Sequence, residues 1–170
     1  MSKIQRIAFS ILIFAVCTGF DRVTKSIAQD KLIPLPPISL LNGMIRFQYS
    51  ENPGAMLSLG ANLDPEFRFI LFIILIGLML AALYIYLITA RDFNRAQLAG
   101  LFIMFSGGAG NFIDRLTNQG AAIDFVSLHL GPLKTGIFNL ADVFIFAGAG
   151  LAFYATLKAE VRPAEPEPLP

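Results

Sequence analysis

The dominant pattern along the chain is a set of four long apolar runs separated by polar or mixed segments. They cover residues 4–20, 67–89, 97–113 and 136–157. At ~1.5 Å per residue the second run reaches about 34 Å, enough to cross a bilayer with slight tilt. We therefore predict an all-α integral membrane protein with four transmembrane helices.

The segment between the first two runs, residues 27–66, predicts a small β-like platform on the membrane surface. Its Pro34–Pro37 stretch cannot be the interior of a helix. Residues 44–49 alternate between apolar and polar side chains, as a half-buried strand does, and Asn42 and Gly43 supply a turn before them. The predicted platform is extracytoplasmic and lies between helices 1 and 2.

We expect residues 1–161 to form a single four-span domain. The acidic, proline-rich tail, residues 162–170, is expected to be disordered. Basic residues cluster near both ends of the chain and in the short turn 90–96. This distribution predicts that both termini are cytoplasmic, which places the remaining polar motifs near the outer face.

Composition supports a membrane protein and argues against several kinds of partner and metal site. The chain of 170 residues is 55% apolar and only 15% charged, with a mean hydropathy of +0.65, which is too apolar for a soluble domain. A net charge of +1 gives no reason to expect a nucleic-acid partner. The single cysteine, Cys17, excludes an internal disulfide and a cysteine-built zinc site, and the single histidine, His129, argues against a histidine-rich metal centre.

The first apolar run could also be a signal peptide, because Lys3 and Arg6 precede it and Phe14–Cys17 resembles a lipoprotein cleavage box. However, Val16 is bulkier than the small residue expected before such a cysteine, and three further spans follow. We therefore expect Cys17 to be a buried apolar residue.

Polar candidates flank the spans at one predicted membrane face. Asp21 and Lys25 have the favoured order for a helical ion pair, and a surface pair that ends the helix is the simple alternative. Asn52 and Gly54 follow the predicted strand, where an ordinary turn would also explain them.

Two further groups close the third span and open the fourth. Asn111 shares a helix face with Asp114 and Arg115, and structural hydrogen bonding between helices is an equal alternative. Asn139 and Asp142 share a face at a spacing of three residues. We expect the two asparagines to hold the site together and Arg115 to pair with Asp114 or another nearby carboxylate.

Asp124 and Asp142 are the carboxylates in the most apolar surroundings. Asp124 stands between Ile123 and Phe125, and Asp142 lies about 9 Å beyond Gly136 if the fourth helix starts there. A carboxylate in a membrane helix costs roughly 2.5–3.5 kcal/mol on insertion scales and is a functional-site hypothesis by default. Two of them at one membrane face suggest a dyad that shares one proton and activates water, as in aspartyl proteases.

Five motifs occur in order between Asp21 and Asp142. They are Asp21-Arg22-Val23-Thr24-Lys25, Asn52-Pro53-Gly54-Ala55, Gly107-Gly108-Ala109-Gly110-Asn111-Phe112-Ile113-Asp114-Arg115, Ile123-Asp124-Phe125 and Phe138-Asn139-Leu140-Ala141-Asp142. This ordered set resembles the five sequence boxes of lipoprotein signal peptidase (signal peptidase II). One departure is Val143, since a serine is usual beside the second aspartate.

The resemblance implies a bacterial inner-membrane aspartyl endopeptidase with Asp124 and Asp142 as its catalytic pair. It implies a four-helix core, a β-cradle at the outer face, and a diacylglyceryl-modified prolipoprotein as substrate. We expect membrane lipid as the surroundings, a monomer, and no metal or organic cofactor.

Other functions fit the residues less well. A rhomboid-like serine protease would need a Gly-x-Ser-Gly box and a presenilin-like protease a Gly-x-Gly-Asp box, and the sequence has neither. The non-enzymatic alternative is a small membrane transporter or assembly factor that uses the same intramembrane acids for protons or helix pairing.

Overall fold

The structure is a computed structural model that describes residues 1–55 and 59–160. Within these ranges four helices are long and apolar enough to cross a membrane. They are α1 (Lys3–Leu32), α2 (Pro65–Thr89), α3 (Arg95–Thr117) and α4 (Leu140–Glu160). The four predicted spans are confirmed, whereas the predicted disordered tail, residues 162–170, lies outside the described residues.

The end of α1 and the start of α4 differ from the sequence prediction, each for a physical reason. Helix α1 continues twelve residues past position 20, because Asp21 and Lys25 are neutralised inside the bundle and do not end the helix. Helix α2 contains a wider π-helical stretch at Ile70–Leu75. Helix α4 starts at Leu140 rather than near 136, since Phe138 pairs with Val126 as part of the sheet.

A four-stranded antiparallel sheet covers the end of the bundle where α1 and α3 finish and α4 begins. Its strands, in spatial order, are β1 (Ile38–Leu40), β2 (Ile45–Asn52), β3 (Ala122–Leu130) and β4 (Leu133–Lys134). The predicted strand at 44–49 and the turn before it are confirmed. Strands β1 and β2 lie between helices 1 and 2 as predicted, and β3 and β4, from the connection between α3 and α4, complete the sheet.

The central pair of strands sets the position of Asp124. Strands β2 and β3 run antiparallel, with Ser50 opposite Asp124 and Asn52 opposite Ala122. The register shifts between Phe47 and Ser50, as a β-bulge does, and bulges often re-aim a side chain beside an active site. Asp124 therefore belongs to a paired central strand and not to a free loop.

Small residues let α3 and α4 pack closely over most of their length. A Cβ added at Gly100 would lie 2.6 Å from the Gly148 carbonyl oxygen, and one added at Gly148 would meet the Met104 backbone nitrogen at even shorter range. Such contact of backbones through small residues is typical of membrane helix pairs. It fixes α4, and with it Asp142, against α3.

The close packing makes a matched pair of substitutions informative. Gly148→Val should lower the free energy of unfolding by about 1–3 kcal/mol or more, because the new side chain would clash with backbone atoms of α3. Gly150→Val, on the same helix with open space around it, should be tolerated. Thermal unfolding of the two variants in detergent checks this, and equal midpoints would contradict the packing.

Candidate active site

A buried ion cluster lies beneath the site and joins α1 to α3. The Lys25 ammonium lies 2.7 Å from an Asp21 oxygen and 2.6 Å from an Asp114 oxygen, and Arg22 also contacts Asp114. Asp21, Lys25 and Asp114 are almost completely buried. The alternative of a surface ion pair at positions 21 and 25 is therefore wrong.

The same carboxylates also hold the two segments that carry the candidate dyad. Asp21 accepts a hydrogen bond from the Ala141 backbone N–H at 3.0 Å, next to Asp142. Asp114 accepts one from the Ile123 N–H at 3.2 Å, next to Asp124. The cluster thus fixes the start of α4 and the start of β3 relative to each other.

Asp142 lies in the first turn of α4 and forms a reciprocal cap with Asn139. Its carboxylate accepts from the Asn139 backbone N–H at 3.1 Å, and its own backbone N–H donates to the Asn139 side-chain oxygen at 3.0 Å. The prediction that Asp142 lies about 9 Å into the fourth helix is wrong, because the helix starts four residues later than expected. A helix N-terminus is a favourable environment for a carboxylate.

Asp124 is a buried carboxyl between two side-chain amides. One oxygen accepts from Asn52 at 2.9 Å and the other from Asn139 at 2.7 Å. Burial raises the pKa of Asp124 to about 6; the Asn52 hydrogen bond opposes that rise, and the negative charge of Asp142 adds to it. A carboxyl with this pKa can exchange a proton near neutral pH.

Two asparagines connect the two aspartates. The Asn139 amide donates to Asp124 and to the Asn111 side-chain oxygen, the latter at 2.9 Å. The Asn111 amide in turn donates to Asp142 at 2.8 Å. Because Lys25 also donates to the Asn111 oxygen at 3.0 Å, the amide can turn only its N–H groups toward Asp142.

Arg115 has a different partner from the one predicted. It forms no salt bridge within the described residues; its guanidinium donates to the Gly54 carbonyl and, at 3.0 Å, to the Asn111 carbonyl. The ring of Phe72 lies 5.6 Å from it, in cation–π range. Asp114 is already paired with Lys25 and Arg22, so Arg115 ties the Asn52–Ala55 turn to α3 instead.

The turn after β2 is held by Asn52 as well as by Arg115. The Asn52 side-chain oxygen accepts from the Gly54 N–H at 3.0 Å, and its amide donates to the Ala55 carbonyl at 3.1 Å. Gly54 contributes its backbone to this arrangement. The turn and the candidate site are therefore one hydrogen-bonded unit.

Both aspartates line one open cavity of about 340 Å³ between α2, α3, α4 and the sheet. Its polar side is formed by Asn52, Asn111 and Arg115 together with the two carboxyls. A second cavity of about 410 Å³ starts at Asp142 and is almost wholly apolar, with Phe138, Val143 and Phe146 among its walls. A cavity with one polar wall beside a wholly apolar cavity suits a substrate with a peptide part and a lipid part.

The sequence model of the family described as signal peptidase (SPase) II matches residues 13–158. The chain belongs to the signal peptidase II family. It is accordingly a bacterial multi-pass membrane protease, and the resemblance based on the five motifs is confirmed.

Relatives and solved structures cover most of the chain. The lipoprotein signal peptidase of Desulforapulum autotrophicum is 31% identical over 144 residues, which is 84% of this chain and 88% of that protein. The lipoprotein signal peptidase of Streptococcus pneumoniae is 30% identical over 156 residues, 91% of this chain and 96% of its own. A bacterial membrane enzyme of known structure, 28% identical, superposes with a TM-score of 0.76 and covers 96% of both chains.

In this signal peptidase II chain, all ten candidate residues from the sequence lie in the network or beside it. The sequence analysis missed Arg22 as a partner of Asp114 and Phe72 as a partner of Arg115. Arg22 stands inside the first motif, which could have revealed it. Phe72 lies in a uniformly apolar span, so no sequence signal distinguished it.

The hydrogen bond from Asn52 gives a testable pH dependence. Asn52→Leu removes a donor to the charged form of Asp124, so its pKa should rise above about 6 and its proton should persist to higher pH. The basic limb of the kcat/KM profile should move upward by about one pH unit. Asn62→Leu, at an exposed loop position, is the control, and an unmoved or acid-shifted limb in Asn52→Leu would contradict the assignment.

Proposed function

We propose that this signal peptidase II removes the signal peptide from diacylglyceryl-modified prolipoproteins through a water molecule activated between Asp124 and Asp142. The observation that carries the proposal is the continuous hydrogen-bonded chain from Asp124 through Asn139 and Asn111 to Asp142, along one cavity wall. Such a chain holds two carboxyls in a fixed relation, as general acid–base catalysis requires.

The two carboxyls have different environments, which supports different roles. Asp124 is buried with a raised pKa, so we assign it the shared proton at rest. Asp142 is half-buried at a helix N-terminus and accepts two N–H bonds, so we assign it the role of base. The two carboxyls would not both ionise readily, because a negative charge on one disfavours ionisation of the other.

The reaction then follows in two steps, attack of the water and cleavage of the carbon–nitrogen bond. Asp142 takes a proton from the water as the water oxygen attacks the scissile carbonyl. Asp124 donates its proton to the oxyanion that develops there. When the carbon–nitrogen bond breaks, Asp142 gives its proton to the leaving amine, and Asp124 takes a proton back from a hydroxyl of the tetrahedral intermediate, which restores the dyad. The signal peptide leaves with a new carboxylate and the mature protein keeps its lipid-modified amino-terminal residue.

The substrate class is supported by the two adjoining cavities. The cavity that holds both aspartates would take the peptide around the cleavage site at its polar wall, and the apolar cavity that starts at Asp142 would take acyl chains. All groups assigned to the reaction come from one chain, so a monomer would suffice.

The decisive assay compares two forms of one precursor. Purified protein should cleave a diacylglyceryl-modified prolipoprotein and spare the same precursor without the lipid. Equal cleavage of both would contradict the assigned substrate class. Absence of cleavage, together with normal cell function of the Asp124→Asn and Asp142→Asn variants, would favour a transporter or assembly role instead.

We further propose that the site faces the outer side of the membrane and that both termini are cytoplasmic. The sheet and dyad lie at one end of the bundle, and the basic clusters around Arg6, Arg91 and Lys158 lie at the other. A membrane-impermeant maleimide added to intact cells should label Lys31→Cys but not Lys158→Cys. The native Cys17 is buried and gives little background, and the opposite labelling pattern would reverse the orientation.

A further inference from the structure

A second polar cleft lies at the opposite end of the bundle from the dyad. It has a volume of about 550 Å³ and is formed by the start of α1, the end of α2 and the turn that leads into α3. Lys3, Arg6 and Arg91 line it, and Ile88 and Phe93 give it an apolar wall. No step of the proposed reaction uses these residues.

Arg6 fixes a positive charge at the floor of this cleft. Its side chain is only 6% exposed, and its guanidinium donates to the Ala90 carbonyl and, at 3.3 Å, to the Leu87 carbonyl. These are free carbonyls at the end of α2, where a cation is favoured by the helix dipole. Leu87 below it belongs to the core with Leu98 and Phe102, so the floor is rigid.

The cleft carries positive charge without a partner carboxylate. All salt bridges found within residues 1–55 and 59–160 belong to the cluster around Lys25, at the other end of the bundle. The nearest acid in sequence, Asp92, is exposed and does not line the cleft. Three cations around one concavity, without a counter-ion, create a positive potential that favours an anion.

We propose that this cleft binds the phosphate-bearing headgroup of an anionic membrane lipid. The phosphate would lie between Lys3, Arg6 and Arg91, with the glycerol and first methylenes against Ile88 and Phe93. A lipid is favoured over a soluble phosphate because the cleft opens where transmembrane helices end, at headgroup level. Basic pockets between transmembrane helices commonly bind such headgroups.

The test uses the whole purified protein and matched charge variants. Native mass spectrometry would measure retention of phosphatidylglycerol against phosphatidylcholine with the same acyl chains. Lys3→Gln with Arg91→Gln removes two cleft charges, while Arg6 stays because it holds α1 to α2. The control is Arg95→Gln with Lys158→Gln, which removes two exposed charges from the same end but outside the cleft.

Wild-type protein and the control should both prefer phosphatidylglycerol, and the cleft variant should lose that preference by about thirtyfold. An equal loss in the control would mean general surface attraction and overturn the site, as would an unchanged cleft variant. A further measurement adds inorganic phosphate or glycerol 3-phosphate to the lipid-bound protein. Displacement of the lipid by either at equal concentration would overturn the lipid assignment and identify a soluble anion.

Discussion

Asp124→Asn and Asp142→Asn should each lower the turnover of a lipid-modified prolipoprotein by about a thousandfold or more. An amide can neither take the proton of the attacking water nor carry the proton that the dyad shares. Both variants should remain folded in the membrane, because the side-chain size is unchanged and the amide oxygen can still accept one of the two hydrogen bonds that each carboxylate receives. Cleavage assays on purified variants of matched thermal stability measure the effect.

The control for these variants is Asp30→Asn, an exposed carboxylate near the C-terminal end of α1. It should retain wild-type turnover. Near-normal cleavage by either dyad variant would show that its carboxyl is not required. Equal loss in the Asp30 control would point to net charge or membrane insertion as the cause.

Lys25→Met should have the largest effect on stability. Lys25 is the salt-bridge partner of Asp21 and one of two partners of Asp114, and all three side chains are almost completely buried. Removal of one member of a buried ion cluster leaves uncompensated charge and typically costs about 3–5 kcal/mol. Thermal unfolding in detergent should therefore show a large drop in midpoint.

Lys31→Met, an exposed position on the same helix, serves as the control and should unfold as the wild type does. A double variant, Lys25→Met with Asp21→Asn, should recover part of the loss because the orphaned charge is gone. No recovery, or a stable Lys25→Met protein, would contradict the structural role of the cluster.

The four spans could be predicted from the sequence because apolar runs of this length have few alternatives to a membrane helix. The five motifs also identified the family. The position of Asp142 at the helix start could not be predicted, since it depends on whether Asn139 caps the helix or continues it. The sequence is compatible with both, and the pairing of Phe138 with Val126 decides between them.

The sheet was only half predicted because its central pairing is non-local. Strand β2 pairs with β3 across about seventy residues of chain, including two transmembrane helices. A signal for β3 was present, since Val126, Leu128 and Leu130 alternate with Ser127 and His129. The partners of Arg115 are backbone carbonyls, which any sequence supplies, so this contact left no pattern to find.

In the proposed mechanism the two aspartates activate water directly, without a covalent intermediate. Product analysis of a single turnover, in water enriched in heavy oxygen and in the presence of hydroxylamine, tests it. The released signal peptide should be a free acid with one oxygen from solvent, and hydroxylamine should capture nothing. A signal-peptide hydroxamate would reveal an acyl-enzyme and contradict the two-aspartate mechanism.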